Sequence, residues 1–138
     1  MGRVSESKIK VRYQETDQMG VVYHANYLVW FEVGRTDYIK ELGMTYADLE
    51  KRGLLLPVIE ANCKYRKPAK YDEEVTILTT IQEVKGARLT FSYQAVCGVN
   101  GELLAEGSTQ HVFTTQEFKP INLRTAMPDL FDMLSNGK

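Results

Sequence analysis

Between Ser7 and Tyr13 apolar and charged residues alternate, with Ile9, Val11 and Tyr13 on one side and Lys8, Lys10 and Arg12 on the other. This is the period-two pattern of a half-buried strand. A loop is expected over 14–22. Beyond it Tyr27, Phe31, Gly34, Tyr38 and Leu42 recur at steps of three and four, which predicts a helix from about His24 to Leu42 with Gly43 as its stop. Trp30, Val33 and Ile39 point at further angles, so burial is expected over more than one narrow stripe of that helix. Thr45 followed three residues later by Asp48 predicts a short helix over 45–51, closed by Gly53. From Leu54 the period is two again. Strands are expected over 56–66, around Val75 to Ile81, over 89–97 and over 103–113, with Gly86 in one tight turn and Asn100-Gly101 in another. A last short helix is expected over 128–134. The order of strand, long helix, short helix and four strands implies an α+β fold, a mainly antiparallel sheet with one long helix to cover a face.

A length of 138 residues suits one core, so 1–138 is expected to form a single domain. Hydrophobic residues at 43% and charged residues at 25% are ordinary for a globular chain, which argues against disorder and fibrous structure. Seventeen Lys and Arg stand against 18 Asp and Glu, for a net charge of -1 with no charged block. That balance supplies no basic field for nucleic acid or an anionic membrane. Cys63 and Cys97 lack the paired spacing of zinc sites and read as reduced thiols, and no metal is expected. The N-terminal segment has no apolar run for a signal peptide or membrane span, and its Met1-Gly2 start has Glu6 where a myristoylation signal needs Ser or Thr. A cytoplasmic protein is expected. With no GxGxxG or GxxxxGK loop, a nucleotide cofactor is not expected either, and none of another kind is implied.

Candidate chemistry concentrates in TDQMGVVYHANYLVWFE, Thr16 to Glu32, where an acid, a glycine and a histidine directly precede the aromatic helix. The element order resembles the hotdog fold, a curved antiparallel sheet of about five strands wrapped around one long central helix. The segment itself resembles the signature of the 4-hydroxybenzoyl-CoA thioesterase and bacterial acyl-CoA thioester hydrolase branch. The matching positions are Asp17, Gly20, Val21, Val22, Tyr23, His24, Asn26, Tyr27, Trp30 and Phe31, and the similarity continues through Tyr65 to Val75 as far as about Arg124.

The resemblance implies hydrolysis of acyl-CoA thioesters. Such a reaction needs a water activator or nucleophile and positive potential where the oxyanion forms. Asp17 would be the general base, or the nucleophile of a mixed-anhydride route. The donor would be the backbone N–H near His24, at the helix start, with the imidazole as a possible orienting group. Gly20 would let the loop turn tightly, and Val22, Tyr23, Asn26 and Tyr27 would border the substrate. For the coenzyme A phosphates the basic candidates are Lys64, Arg66 and Lys67, or Lys85 and Arg88 around Gly86; the resemblance favours Lys85 and Arg88. It also implies a homodimer or homotetramer. Each residue has a plainer reading: Asp17 as a turn residue, His24 as a helix-start residue, Tyr27, Trp30 and Phe31 as core, His111 as structural, Glu32 as a helix carboxylate with a lesser claim to be the base. Two other functions share the pattern: a hotdog enoyl-thioester hydratase or dehydratase using Asp17 and His24, and a non-catalytic acyl-CoA binding protein.

Overall fold

The computed structural model describes residues 3–137; Met1 and Gly2, where a lipidation signal would begin, and Lys138 lie outside the described residues. Five strands, β1 (Ser5–Lys10), β2 (Val58–Tyr65), β3 (Glu74–Lys85), β4 (Arg88–Cys97) and β5 (Leu103–Val112), form one sheet in the order β1-β3-β4-β5-β2, every pair antiparallel. Four helices accompany it: α1 (Asn26–Glu41), α2 (Tyr46–Lys51), α3 (Leu123–Ala126) and α4 (Pro128–Gly137). The long helix α1 lies against β1, β2, β3 and β4. This is the expected arrangement of one helix covering an antiparallel sheet.

β1 begins two residues earlier than the alternation indicated and ends before Tyr13, which sits in a 3-10 turn (Tyr13–Glu15) and is 76% exposed rather than inward. The shift has a polar cause. Ser5 and Ser7 are buried because their hydroxyls donate to carboxylates of α1, Glu41 and Asp37, each at 2.6 Å, so the inward face of this strand is held by hydrogen bonds that a hydrophobic pattern cannot register.

On α1 the buried set is Tyr27, Trp30, Phe31, Gly34, Tyr38 and Ile39, so Trp30 and Ile39 widen the buried stripe as expected, while Val33, expected to join them, remains open, as does Val29. Phe31 stacks on Tyr93 of β4 with ring centroids 4.4 Å apart. Gly34 packs onto β3 so closely that a side chain there would meet Thr79 and Ile77. On the sheet, Val75, Ile77, Thr79 and Ile81 point inward from β3, as do Leu89, Phe91, Tyr93 and Ala95 from β4, in the predicted phase.

The β3–β4 hairpin turns on Gly86 (φ +60°) as expected. Asn100-Gly101 does sit in a hairpin, though in a loop over 98–101 in which the Gly101 N–H donates to the Cys97 carbonyl at 2.8 Å. The C-terminal helix extends to Gly137 and is preceded by α3, which the sequence pattern did not indicate; Leu123, Leu130 and Leu134 bury both against the core.

Candidate active site

The segment between β1 and α1 folds back on itself as a miniature hairpin. Thr16 pairs with Val22, the Asp17 N–H donates to Val21 O at 2.9 Å, and the Gly20 N–H returns to Asp17 O at 3.0 Å. Gly20 has φ +80°, a left-handed conformation that costs other residues about 1–2 kcal/mol. Two further contacts clip the hairpin to the segment after β2: Val22 N–H to Ala69 O at 2.9 Å and the pairing of Val21 with Lys70. The loop is therefore held on two sides before α1 begins.

Asp17 is half-buried. Its Oδ1 accepts the Met19 N–H at 2.8 Å, an Asx turn, while Oδ2 has no hydrogen-bond partner among the described residues. The carboxylate borders a cleft of about 310 Å³ whose walls include Val21, Val22, His24 and Tyr27 on one side and Tyr65, Arg66, Lys67 and Pro68 on the other.

His24 stands at the opposite end of the hairpin, just before α1. The helix starts at Asn26, two residues later than expected, and its N-cap Ala25 provides no side-chain cap. Carbonyls of Tyr23, His24 and Ala25 take up the N–H groups of Asn26, Tyr27 and Leu28. The N–H groups of His24 and Ala25 have no acceptor among the described residues, so the uncompensated positive end of the helix falls there. The His24 ring is exposed, tilted on Tyr23 with centroids 4.5 Å apart and edge-on to Tyr65 at 6.2 Å.

Of the residues expected to border substrate, Val22 and Tyr27 line the cleft; both are also core, and the Tyr27 hydroxyl accepts the Ala69 N–H at 3.2 Å. Gly20 and Tyr23 lie outside its walls, and the Asn26 side chain is turned away to donate to Glu15 O at 2.8 Å. Lys85 and Arg88 are not beside this cleft. Tyr65 pairs with Ala105 and Arg88 with Val112, which separates them by roughly 23 Å along β5. Arg66 and Lys67 do line it, each paired with a carboxylate, Arg66 Nη2 with Glu106 Oε2 at 2.9 Å and Lys67 Nζ with Glu102 Oε2 at 2.6 Å. Glu32 points outward, 3.9 Å from Arg35 Nη2. His111 is buried in β5, its Nε2 at 2.7 Å from Thr109 Oγ1, which is in turn 2.6 Å from the Tyr93 hydroxyl. Burial, with the Arg35 charge nearby, pushes it down to about 4, so it is neutral.

Two residues at the site were not among the expected site residues. Tyr65 reaches across from β2 and donates its hydroxyl to His24 O at 3.0 Å; burial and the adjacent Cys63 thiol push this phenol up to about 12, which keeps it a donor. Glu15 is 5% exposed and accepts from Arg12 N at 2.8 Å and from Trp30 Nε1 at 2.9 Å. Burial alone would raise its carboxyl, but these donors and the Arg12 charge hold it below the ordinary carboxylate value. Among the described residues no group of three or more His, Cys, Asp or Glu is placed to hold a metal ion, and no helix is long and apolar enough to cross a membrane.

Residues 11–131 match the Thioesterase-like superfamily. YneP of Bacillus subtilis, provisionally named an acyl-CoA thioesterase, is 48% identical over 127 residues, 91% of each chain. The acyl-CoA thioesterase YbgC of Haemophilus influenzae is 40% identical over 84 residues, 60% of this chain and 62% of that one. Among solved structures, a DHNA-CoA thioesterase from Staphylococcus aureus superposes with a TM-score of 0.89 at 41% identity, over 96% of this chain and 89% of that one. The five-stranded antiparallel sheet around α1 is the hotdog fold, and the chain belongs to the Thioesterase-like superfamily.

Proposed function

We propose that this chain, as one hotdog domain, hydrolyses acyl-CoA thioesters to a free acid and coenzyme A, with Asp17 as the base and the His24 N–H as the oxyanion donor. One observation carries the reading. An unengaged carboxylate oxygen of Asp17 and an unclaimed backbone N–H at His24 belong to the two ends of the same braced hairpin, and both residues border the same cleft.

In this reading Asp17 takes a proton from water as the oxygen attacks the thioester carbon. The carbonyl oxygen becomes an oxyanion that accepts from His24 N–H, in the field of the α1 N-terminus. Collapse of the tetrahedral adduct breaks the C–S bond, and the Asp17 proton returns to the departing thiolate. In the nucleophilic variant Asp17 itself bonds to the acyl carbon, the C–S bond breaks to expel coenzyme A as its thiolate, and water then cleaves the mixed anhydride, its released proton going to the thiolate. General base is preferred, since the Met19 N–H already fixes one oxygen and leaves the other to orient water.

The rings of His24, Tyr27 and Tyr65 around the cleft, together with the name of the 41% identical Staphylococcus aureus relative, put an aromatic acyl group first among substrates. Arg66 and Lys67, which line the cleft, supply basic side chains there for the coenzyme A phosphates. Lys85 and Arg88 would serve only a site completed by a second copy, which is consistent with the homodimer or homotetramer implied by the resemblance and with the exposed edge strand β2. Two free thiols, Cys63 and Cys97, fit a reducing compartment, and we assign the protein to the cytoplasm.

The test is thiol release from acetyl-, hexanoyl-, palmitoyl-, benzoyl- and DHNA-CoA, followed with a thiol-reactive dye. Release from the aromatic thioesters in preference to the others supports the reading. A change in enoyl absorbance without thiol release would instead favour a hydratase, which Asp17 and His24 could also serve. Binding without turnover would favour a carrier.

A further inference from the structure

We propose that Glu15 is a positioning residue for the reaction, fixing where the Asp17 carboxylate and the His24 N–H stand relative to each other; this rests on the reading of Asp17 and His24 above.

Glu15 is the point at which the site loop and α1 are joined. Its backbone carbonyl accepts two donors at 2.8 Å, the Tyr23 N–H and Asn26 Nδ2. The first closes the hairpin one residue before His24, and the second ties it to the first residue of α1. Its carboxylate uses both oxygens, Oε1 for Arg12 N and Oε2 for the indole of Trp30, one helical turn into α1. Asp17 follows two residues later, on the strand of the hairpin that Glu15 starts.

A tilt of the hairpin about this junction would move Asp17 and His24 by different amounts. Misplacement by about 1 Å is enough to cost two orders of magnitude in rate. A buried carboxylate is also an unusual choice for a brace that only had to fill space, because a charged group out of water is tolerated only when every oxygen is paired. Glu15 meets that condition through donors drawn from both sides of the junction.

The experiment compares wild type, Glu15→Gln, Glu15→Asp, Trp30→Phe and Asp17→Asn. The readouts are kcat and KM for thiol release per folded molecule, and amide hydrogen exchange over 16–25. Glu15→Gln keeps the shape but can accept only one of the two donors. It is expected to lower kcat at least about tenfold, to leave KM within about threefold, and to speed exchange at Tyr23 and its neighbours while exchange in β3 and β4 is unchanged. Glu15→Asp should fall between it and wild type, and Trp30→Phe should give the same signature more weakly, which secures the test if Glu15→Gln folds poorly. Wild-type kcat per folded molecule in Glu15→Gln with Asp17→Asn inactive would overturn the positioning role alone. Wild-type kcat in Asp17→Asn would overturn the reading beneath it, and unchanged exchange at Tyr23 would overturn the brace itself.

Discussion

The Tyr65 hydroxyl, carried on edge strand β2, donates to the carbonyl of His24 at 3.0 Å. His24, which lines the cleft and whose N–H has no acceptor among the described residues, is thereby anchored through its carbonyl to a residue of the far wall. Tyr65→Phe removes the hydrogen bond and keeps the ring that meets Tyr27 at 5.3 Å. A hydrogen bond of this kind is worth about 0.5–1.5 kcal/mol. We expect kcat to drop about two- to tenfold, with unfolding free energy changed by less than about 1 kcal/mol because the ring is nearly half exposed. Steady-state kinetics and urea unfolding of the variant check both.

Two glycines should respond differently to alanine. At Gly20 nothing lies within 4 Å of an added Cβ, and the cost comes only from φ +80°, about 1–2 kcal/mol. At Gly34 the backbone is ordinary helix, but the Cβ would meet Thr79 and Ile77, an overpacking cost of about 1–3 kcal/mol. Gly20→Ala is expected to lower kcat as well as stability, because the turn carries Asp17; Gly34→Ala should lower stability and leave the kcat of folded molecules near wild type. Urea midpoints and kcat measured together separate the cases.

Much of this architecture was legible in the order and phase of the apolar residues. The β3 and β4 alternations and the α1 spacing each name the buried face, since one face of each element meets the same core. What escaped notice depends on partners distant in sequence. Ser5 and Ser7 are inward because of Asp37 and Glu41, and Glu15 is buried because of Trp30. Tyr65 belongs to the site only because β2 returns beside the start of α1. The grouping of Asp17, Gly20 and His24 in one hairpin was legible because they are neighbours in the chain, whereas Asn26, within the same motif, turns its side chain to the Glu15 carbonyl.

His111 makes stability depend on pH. Burial and the Arg35 charge put it at about 4 in the folded protein, against 6.5 when unperturbed. Between these values the unfolded chain binds the extra proton, so stability increases with pH. The contribution is complete above about pH 6.5 and is lost as pH falls through about 4, an upper bound of about 3–4 kcal/mol. Glu15 adds a loss of the same sign, at pH values below 4.5. Urea unfolding at pH 7.5 and 5 should show lower stability at pH 5 in wild type, and His111→Gln should flatten that difference. An equal difference in both proteins would assign it elsewhere.

The free side of β2 exposes Val58 and Ile59 at the end of the strand order, an edge that a second copy could extend. Light scattering is expected to give a dimer or tetramer in solution, and Ile59→Asp should shift it toward monomer. A wild-type monomer at micromolar concentration would refute the proposed assembly.

In the proposed reaction Asp17 supplies the reacting carboxylate, and kcat of Asp17→Asn beside wild type, on the thioester of the panel that turns over fastest, decides whether it does. Asn keeps the size of the side chain and an oxygen to accept the Met19 N–H, so the hairpin should persist while the base is lost. A drop of at least about a hundredfold, with unchanged thermal stability, is the predicted result. Wild-type kcat in Asp17→Asn would contradict it and remove Asp17 from the reaction.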